Sequence, residues 1–244
     1  MSRFFLTDED SINSSEIILR GENFHHLGRV LRARVGDEVE LCDGKGMDYF
    51  CVAEHFDKES ATLSITKSAP STAEDGPFIT LYQCIAKGDK MEQIITRCTE
   101  MGVSRFVPVL SRYCVARPEG DKKIARWQKV ALAAAKQSGR GLVPEVCPII
   151  NIEQAIELMA ENPLSFVCYE KETCNTIANL PVAKEISFLI GSEGGFSDEE
   201  CALWQSKQIS SVTLGKRILR TENAAAYVLP MLAYKSQIEE KKNG

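Results

Sequence analysis

The chain of 244 residues lacks long apolar runs and a recognisable targeting segment. No apolar stretch approaches the roughly 20 residues that a helix needs to cross a bilayer. Residues 1–20 carry acids and serines, without the basic segment and apolar core of a secretory signal peptide. With 44% hydrophobic and 26% charged residues, the composition is that of an ordinary globular protein. These features predict a cytoplasmic protein with no membrane partner.

The nine cysteines lack the spacing of a metal site or of a disulfide framework. No two of them stand as C-x-x-C, and their number is odd. Histidine is equally sparse, because His25 and His26 are adjacent and His55 stands alone. We therefore expect no bound metal, and we interpret the cysteines as small buried residues in a reducing compartment. A zinc site or a cysteine nucleophile is the lesser alternative.

Three nucleotide- or ester-handling motifs are also absent. The chain contains neither the phosphate loop G-x-x-x-x-G-K-[ST] nor the dinucleotide loop G-x-G-x-x-G. It also lacks the G-x-S-x-G turn that presents a hydrolase serine. These absences argue against an enzyme of ATP, GTP or NAD and against a serine hydrolase.

Charge is distributed unevenly along the chain, whose formal net charge is −5. Residues 1–70 contain 8 Lys and Arg against 13 Asp and Glu, whereas residues 86–140 contain 12 against 5. A basic segment within an acidic protein can bind the phosphates of a nucleic acid. On charge alone, a solvated helix face is an equally good interpretation.

The pattern of apolar residues changes after residue 70. Residues 36–66 predict three short strands joined by turns, which is typical of a small β-barrel. Residues 67–77 are polar and contain two prolines, and so predict a linker. Beyond them strands and helices alternate, which predicts an α/β domain with a parallel sheet. We therefore expect two domains, residues 1–70 and residues 71–244.

The predicted elements of the second domain follow from apolar periodicity and capping residues. Residues 197–200 (Ser-Asp-Glu-Glu) form a capping box that begins a helix ending near residue 207. The other predicted helices are 90–101, 121–138, 152–160 and 221–240, and the predicted strands are 78–86, 103–110, 165–169, 186–190 and 211–214.

Two strand exits near the C-terminus carry the strongest functional signal: residues 190–197 (IGSEGGFS) and 214–224 (LGKRILRTENA). Glycines after a strand let backbone groups approach a ligand closely, and parallel strands bring such loops to one edge of a sheet. Glu193 disfavours a phosphate there and tolerates a cationic or polar ligand. Thr221 can cap the final helix, whereas Arg220 and Glu222 are less easily explained as surface residues.

Seven ordered motifs carry a resemblance to a known family. Besides the two strand exits, they are Arg3-Phe4-Phe5, residues 25–32 (HHLGRVLR), 87–92 (KGDKME) with 99–102 (TEMG), 127–129 (WQK) and 137–140 (QSGR). The set resembles the bacterial methyltransferases that modify N3 of a uridine in 16S ribosomal RNA, members of the SPOUT superfamily. Two positions depart from the pattern: Ser192 stands where proline is commoner, and Asn223 where threonine is commoner.

The resemblance implies a fold, a cofactor and an assembly. The fold is α/β, with a C-terminal trefoil-knotted domain built on a parallel sheet and a small N-terminal PUA-like β-barrel. The chain is expected to form a homodimer and to bind S-adenosylmethionine. The residues expected to bind the cofactor lie in three loops: Tyr169; Ile190, Gly191, Ser192, Glu193, Gly194 and Gly195; and Leu214, Gly215, Ile218, Leu219, Arg220 and Thr221.

The same resemblance implies roles in catalysis and RNA binding. We expect Arg220 to stabilise the anion that develops on the uridine. We expect Glu222 either to accept the N3 proton or to orient Arg220, and we give these two roles similar weight. The alternative is that Glu222 only stabilises the start of the helix as an acidic residue in its first turn. For the 16S RNA of the small ribosomal subunit, the expected contacts are Arg3, His26, Arg29, Arg32, Lys87, Gln137, Ser138 and Arg140.

Two alternative functions remain open at this point. A SPOUT enzyme could instead act on tRNA or on a ribose 2′-hydroxyl, although the N-terminal barrel and the Arg-Phe-Phe opening argue against it. A non-catalytic assembly factor could retain the cofactor pocket, although both C-terminal motifs are intact. Cofactor binding without turnover would distinguish the second alternative.

Overall fold

The computed structural model describes residues 3–74, 76–117 and 121–243, with side chains as far as Glu239. The chain divides into two compact units. The first unit comprises residues 1–75 together with residues 135–143, and the second comprises residues 76–134 and 144–244. The division predicted after residue 70 remains a prediction, but residues 135–143 belong to the first unit although they lie far along the chain.

The first unit contains a six-stranded sheet in the order β1-β4-β5-β6-β3-β2. Only the β1–β4 pair is parallel; the other neighbours are antiparallel. Its elements are β1 (Arg3–Phe5), β2 (Ser11–Ile12), β3 (Glu16–Leu19), helix α1 (Gly21–His25), a π-helical turn (His26–Val30), β4 (Glu38–Cys42), β5 (Met47–Phe56) and β6 (Ala61–Pro70).

The three strands predicted within residues 36–66 are confirmed as β4, β5 and β6. Their alternating residues are buried, as at Val39, Leu41 and Leu63, because successive side chains of a strand point to opposite faces. The predicted linker begins too early, since residues 67–70 continue β6 and pair with β5. The polar composition of residues 67–70 suggested a linker, but strand pairing uses backbone hydrogen bonds and so does not require apolar side chains.

Two arginines of the first unit form buried or half-buried ion pairs. Arg3 donates to Asp48 and, at 2.9 Å, to the Ser71 hydroxyl. The buried Arg140 side chain donates from Nη2 to Glu74 Oε2 at 2.6 Å. Glu74 Oε1 also accepts from the backbone N–H of Gly141 at 2.8 Å. The Glu74 carboxylate therefore holds residues 140–142 in place.

The second unit contains an all-parallel sheet in the order β10-β8-β7-β12-β11-β13, with β9 beside the start of β8. Its strands are β7 (Phe78–Cys84), β8 (Arg105–Leu110), β9 (Glu145–Val146), β10 (Ile150–Asn151), β11 (Ser165–Cys168), β12 (Glu185–Ile190) and β13 (Ser210–Val212). Its helices are α2 (Lys90–Glu100), α3 (Asp121–Ser138, whose last residues belong to the first unit), α4 (Ile152–Ala160), α5 (Asp198–Ser206), α6 (Thr221–Asn243) and a 3₁₀ turn (Ile177–Asn179).

The predicted α/β alternation with a parallel sheet is confirmed. Helix α4 has the predicted bounds, and Asn151 and Gln154 form a capping box at its start. The predicted capping box of α5 is also present, between Ser197 and Glu200. Strands β7 and β12 carry nearly continuous apolar residues because helices cover both faces of a parallel sheet.

Strand order brings three loops to the same edge of the sheet. Strand β12 occupies the place between β7 and β11, so the chain forms β11 before the strand that separates it from β7. Strands β12, β11 and β13 are adjacent and parallel. The loops that leave their carboxyl ends therefore emerge side by side, where open α/β sheets bind ligands.

All nine cysteines lie within the described part of the chain and are free thiols. Seven are buried, Cys147 is half-buried and Cys174 is exposed, which agrees with the interpretation of most of them as small core residues. The described residues contain no group of three or more His, Cys, Asp or Glu side chains placed to hold a metal ion. None of the described helices is long and apolar enough to cross a bilayer.

Replacing Glu74 with alanine tests the ion pair of the first unit. The Glu74→Ala change removes the carboxylate from a buried arginine and from two backbone N–H groups. We expect the free energy of unfolding of the first unit to fall by about 3–5 kcal/mol, as when one partner of a buried pair is removed. Urea unfolding, with amide hydrogen exchange of β4 to β6 as the local reporter, measures the loss. The exposed Glu59→Ala serves as control, with an expected change of about 0.5 kcal/mol or less; equal stability of the two variants would contradict the structural role.

Candidate functional site

A cavity of about 470 Å³ lies among the loops that follow β11, β12 and β13. That volume falls within the range of ordinary small-molecule sites, roughly 300–1,000 Å³. All thirteen residues predicted to bind the cofactor line it: Tyr169, Ile190, Gly191, Ser192, Glu193, Gly194, Gly195, Leu214, Gly215, Ile218, Leu219, Arg220 and Thr221. Glu170 and Arg217, which lie in the predicted loops but were not individually predicted as ligands, also line the cavity, as do five residues that were not predicted: Lys90, Cys168, Phe196, Thr213 and Ala224.

The glycines of the loop after β12 are required by its close contacts. A Cβ atom at Gly194 would lie 2.7 Å from Tyr113 Cβ, and one at Gly191 would lie 3.0 Å from the Phe196 ring. Gly195 has a φ of +67°, in the left-handed region, and a Cβ there would meet the Glu170 carboxylate. A side chain at any of these three glycines would therefore collide with Tyr113, Phe196 or Glu170, or strain the backbone.

The hydroxyl of Thr221 joins this loop to the final helix. It donates to the carbonyl oxygen of Gly191 at 2.7 Å and accepts from Gln83 Nε2 at 2.9 Å. The hydroxyl thus bridges the ends of β7 and β12 instead of capping α6. Within the first turn of α6, the N–H groups of Asn223 and Ala224 donate to the carbonyl oxygen of Arg220.

Aromatic side chains support one side of the cavity. The rings of Tyr169 and Phe196 both meet Trp204 edge-on, with centroids 5.5 Å and 5.1 Å away. Trp204 is fully buried and donates from Nε1 to Ser211 at 3.1 Å. A hydrogen bond with Cys201 raises the pKa of Tyr169, and burial adds to the shift. These contacts fix the ring that faces the cavity.

An ion pair forms part of the cavity wall. Lys90 Nζ lies 2.7 Å from Glu193 Oε1 and 3.8 Å from Glu222 Oε2. The hydrogen bond to Glu193 raises the pKa of Lys90. Burial acts to raise the pKa of Glu193, but hydrogen bonds from Lys90 and from backbone N–H groups outweigh it and hold that pKa below its ordinary value. Both groups are therefore charged at neutral pH.

The two predicted catalytic residues flank Thr221 at the start of α6. Arg220 is exposed and lines the cavity. Glu222 is buried, with 8% exposure, and its Oε2 atom has no hydrogen-bond partner among the described residues. Ser192 Oγ is buried in the cavity wall and likewise finds no partner in the described ranges. A buried polar atom without a partner marks a place where a ligand can complete the hydrogen bonding.

The residues predicted to contact RNA fall into two groups. His26, Arg29 and Arg32 are exposed on and after the π-helical turn of the first unit, and Lys87, Gln137 and Ser138 are exposed elsewhere. Arg3 and Arg140 instead form the ion pairs with Asp48 and Glu74. Contact with RNA remains a prediction for all eight, and the exposed six are the more accessible.

Two family models match the chain. A model described as an RNA methyltransferase domain matches residues 74–233, and one described as an RNA methyltransferase PUA domain matches residues 19–66. The chain is 28% identical over 251 residues to ribosomal RNA small subunit methyltransferase E of Bacillus subtilis, with 98% of each chain covered. It is 31% identical over 218 residues to the protein of that name from Aquifex aeolicus, with 88% of this chain and 93% of the relative covered.

Solved structures give the same result. The chain resembles a ribosomal RNA small subunit methyltransferase E from Neisseria gonorrhoeae bound to S-adenosyl methionine, with 31% identity and a TM-score of 0.79. It also resembles a putative methyltransferase from Legionella pneumophila bound to the same cofactor, with 28% identity and a TM-score of 0.78. In both cases 96% of this chain and 97% of the other are covered.

Replacing Thr221 with valine tests the bridge between the strand ends. The Thr221→Val change keeps the shape of the side chain but removes the donor to the Gly191 carbonyl and one of the two acceptors of the buried Gln83 amide, which keeps its bond to the Cys84 carbonyl. We expect a loss of about 1–3 kcal/mol in the free energy of unfolding and faster amide exchange at residues 190–195. Thr221→Ser retains the hydroxyl and is the matched control. A valine variant as stable as the serine variant would show that the bridge contributes nothing.

Proposed function

Since the chain belongs to the RNA methyltransferase domain family, we propose that it transfers a methyl group from S-adenosylmethionine to N3 of a uridine in 16S ribosomal RNA, within the small ribosomal subunit. The observation that carries the proposal is the single cavity lined by all thirteen residues predicted to bind the cofactor, with Arg220 at its wall and Glu222 beside it. The named relatives of similar length support the choice of ribosomal RNA.

The residues around the cavity suit S-adenosylmethionine. The glycines of residues 191–195 leave backbone groups accessible, and Ser192 Oγ offers a buried hydroxyl without a described partner. The carboxylates of Glu170 and Glu193 suit a ligand that carries a sulfonium and an amino group. Tyr169 presents a ring fixed by Trp204 against which a flat adenine can stack. When bound, the cofactor supplies a methyl group from its sulfonium and is left as a neutral thioether.

The chemistry at the base requires the loss of one proton. The N3–H of uracil is a weak acid that base pairing normally occupies, so the target base must be unpaired or flipped. Glu222 accepts that proton or orients Arg220, and Arg220 stabilises the negative charge that develops over N3 and its neighbouring carbonyl groups. The bound cofactor would supply the methyl group that replaces this proton on N3, with Arg220 and Glu222 at the base.

RNA binding is assigned to exposed basic and polar residues of both units. His26, Arg29 and Arg32 follow one another around the π-helical turn, and Arg32 has a φ of +56°, an uncommon conformation for a residue with a side chain. Lys87, Gln137 and Ser138 add donors for phosphate or ribose. Arg3 donates to the carbonyl of Gly139 and Arg140 forms an ion pair with Glu74, so these two arginines order the segment that follows Gln137 and Ser138.

Three finer features complete the proposal: a trefoil knot in the second unit, a homodimer and action in the cytoplasm. The placement of β12 between the earlier strands β7 and β11 supports the knot, because the chain returns to the interior of a sheet that it has already begun. The family assignment supports the dimer. Ribosomal RNA as substrate supports the location.

A methylation assay on assembled subunits tests the function. Small ribosomal subunits from cells lacking this activity are incubated with the protein and labelled S-adenosylmethionine, and the nucleosides of the digested 16S RNA are analysed by mass spectrometry. We expect new 3-methyluridine. Methylation of another atom or of tRNA would overturn the substrate assignment, and bound cofactor without methylation would favour the assembly factor.

Arg220→Ala tests the catalytic assignment. Removal of one group that stabilises developing charge should lower kcat by about 10²–10³-fold, with the cofactor Kd changed far less. Single-turnover methylation gives the rate and isothermal titration gives the affinity. Lys216→Ala, which removes an exposed cation of the same loop that does not line the cavity, is the control. Near-normal turnover of the arginine variant with bound cofactor would remove Arg220 from the mechanism.

A triple change of Arg29, Arg32 and Lys87 to alanine tests RNA binding. Each cation lost from a phosphate contact should weaken binding and lower the salt dependence of the affinity. We expect the small subunit to bind at least tenfold more weakly, with unchanged cofactor affinity. Filter binding at several salt concentrations measures both effects. Unchanged affinity and salt slope would exclude these residues from the interface.

A further inference from the structure

Lys90 lies where the proposed reaction needs a hydrogen-bond donor. It lines the cavity from the first turn of α2, and its ammonium is 3.8 Å from the Oε2 atom of Glu222. That oxygen has no hydrogen-bond partner in the described parts of the chain. Arg220 lines the same cavity, and its charge acts to lower the pKa of Lys90. Two donors, Lys90 and Arg220, and one acceptor, Glu222, therefore lie near the start of α6.

This set is complementary to one pyrimidine edge. Uracil presents two carbonyl oxygens, O4 and O2, on either side of N3–H, which is an acceptor, a donor and an acceptor. Cytosine presents an amino group at the first of these positions and an unprotonated N3, and so would place donor against donor at Lys90 or Arg220. The combination of Lys90, Glu222 and Arg220 therefore matches the edge of uracil and not that of cytosine.

We propose that Lys90 determines specificity for the target base: its ammonium donates to one carbonyl oxygen of uracil while Glu222 accepts from N3–H and Arg220 donates to the other oxygen. This inference rests on the proposed function. An ammonium has three N–H donors, and Lys90 uses one of them on Glu193, so the contact with the base does not require that ion pair to break.

The ion pair with Glu193 gives this arrangement a fixed position. Glu193 also accepts from the backbone N–H of Lys87 at 3.4 Å, so its carboxylate is held to the start of α2 from two sides. Glu193 belongs to the glycine-rich loop that lines the cavity. The donor for the base is therefore fixed to the loop that positions the cofactor, which aligns base and methyl group.

The experiment compares Lys90→Met with wild type on subunits whose target uridine is replaced by 4-thiouridine or 2-thiouridine. The reassembled subunits carry a ligated 16S RNA, and the target position comes from the methylation assay. Sulfur is a weaker acceptor than oxygen, so we expect wild type to lose about tenfold in kcat/KM on each thio-substrate, because Lys90 donates to one of the two positions and Arg220 to the other. The variant should be slow on uridine, by about 100-fold, and nearly indifferent to sulfur at the position that Lys90 contacts, while it stays sensitive to sulfur at the other.

The comparison separates base recognition from a structural role. If Lys90 only held Glu193, the variant and wild type would respond to each thio-substrate by the same factor, and the inference would fall. Any change in N3 acidity caused by sulfur acts on both proteins and cancels in the ratio. Lys90→Arg should recover much of the lost activity, because it keeps a donor and a charge; recovery no better than methionine would also contradict the inference.

The control variant is Lys184→Met, the same change at an exposed lysine just before β12, at the opposite end of the strand. It should behave as wild type on every substrate. If wild type leaves the uridine unmethylated, the proposed function fails and the inference with it. If wild type forms 3-methyluridine and Lys90→Met does so equally fast, only the inference fails.

Discussion

The parallel pairing of β12, β11 and β13 is the constraint on which the site depends. Adjacent parallel strands end at one edge, so three loops that are separated along the chain must meet there. The Thr221 hydroxyl links the start of α6 to this edge, because it forms hydrogen bonds at the ends of both β7 and β12. The glycines then allow the close approach that leaves room for a ligand.

Basic residues serve two different purposes in this protein. Arg3 and Arg140 belong to motifs that resemble those of an RNA-modifying family, yet their guanidinium groups are engaged by Asp48 and Glu74. Arg29, Arg32 and Lys87 are exposed and so remain accessible to phosphates. A sequence motif therefore does not distinguish the two kinds of arginine. Burial and ion pairing do, because a buried, ion-paired side chain stabilises the fold, whereas an exposed one can contact a ligand.

Local signals predicted much of the fold. Helix α4 and the capping box of α5 were predictable because their determinants lie within a few residues of each other. Strands β1, β2 and β3 were not, since they have only two to four residues, and since β1 and β3 pair with β4 and β6, which lie far along the chain. The association of residues 135–143 with the first unit depends on Glu74, which is 66 residues away from Arg140.

By itself, the sequence determined the elements of the α/β domain and the family resemblance, and it led to the prediction of thirteen cofactor-binding residues, because periodicity, glycines and motifs are local properties. Only the tertiary structure decided that those residues line one cavity, that the Thr221 hydroxyl bridges two strand ends, and that Lys90 stands between Glu193 and Glu222. The physical reason is that each of these arrangements is a contact across strands and helices, set by the order of the sheet and not by spacing along the chain.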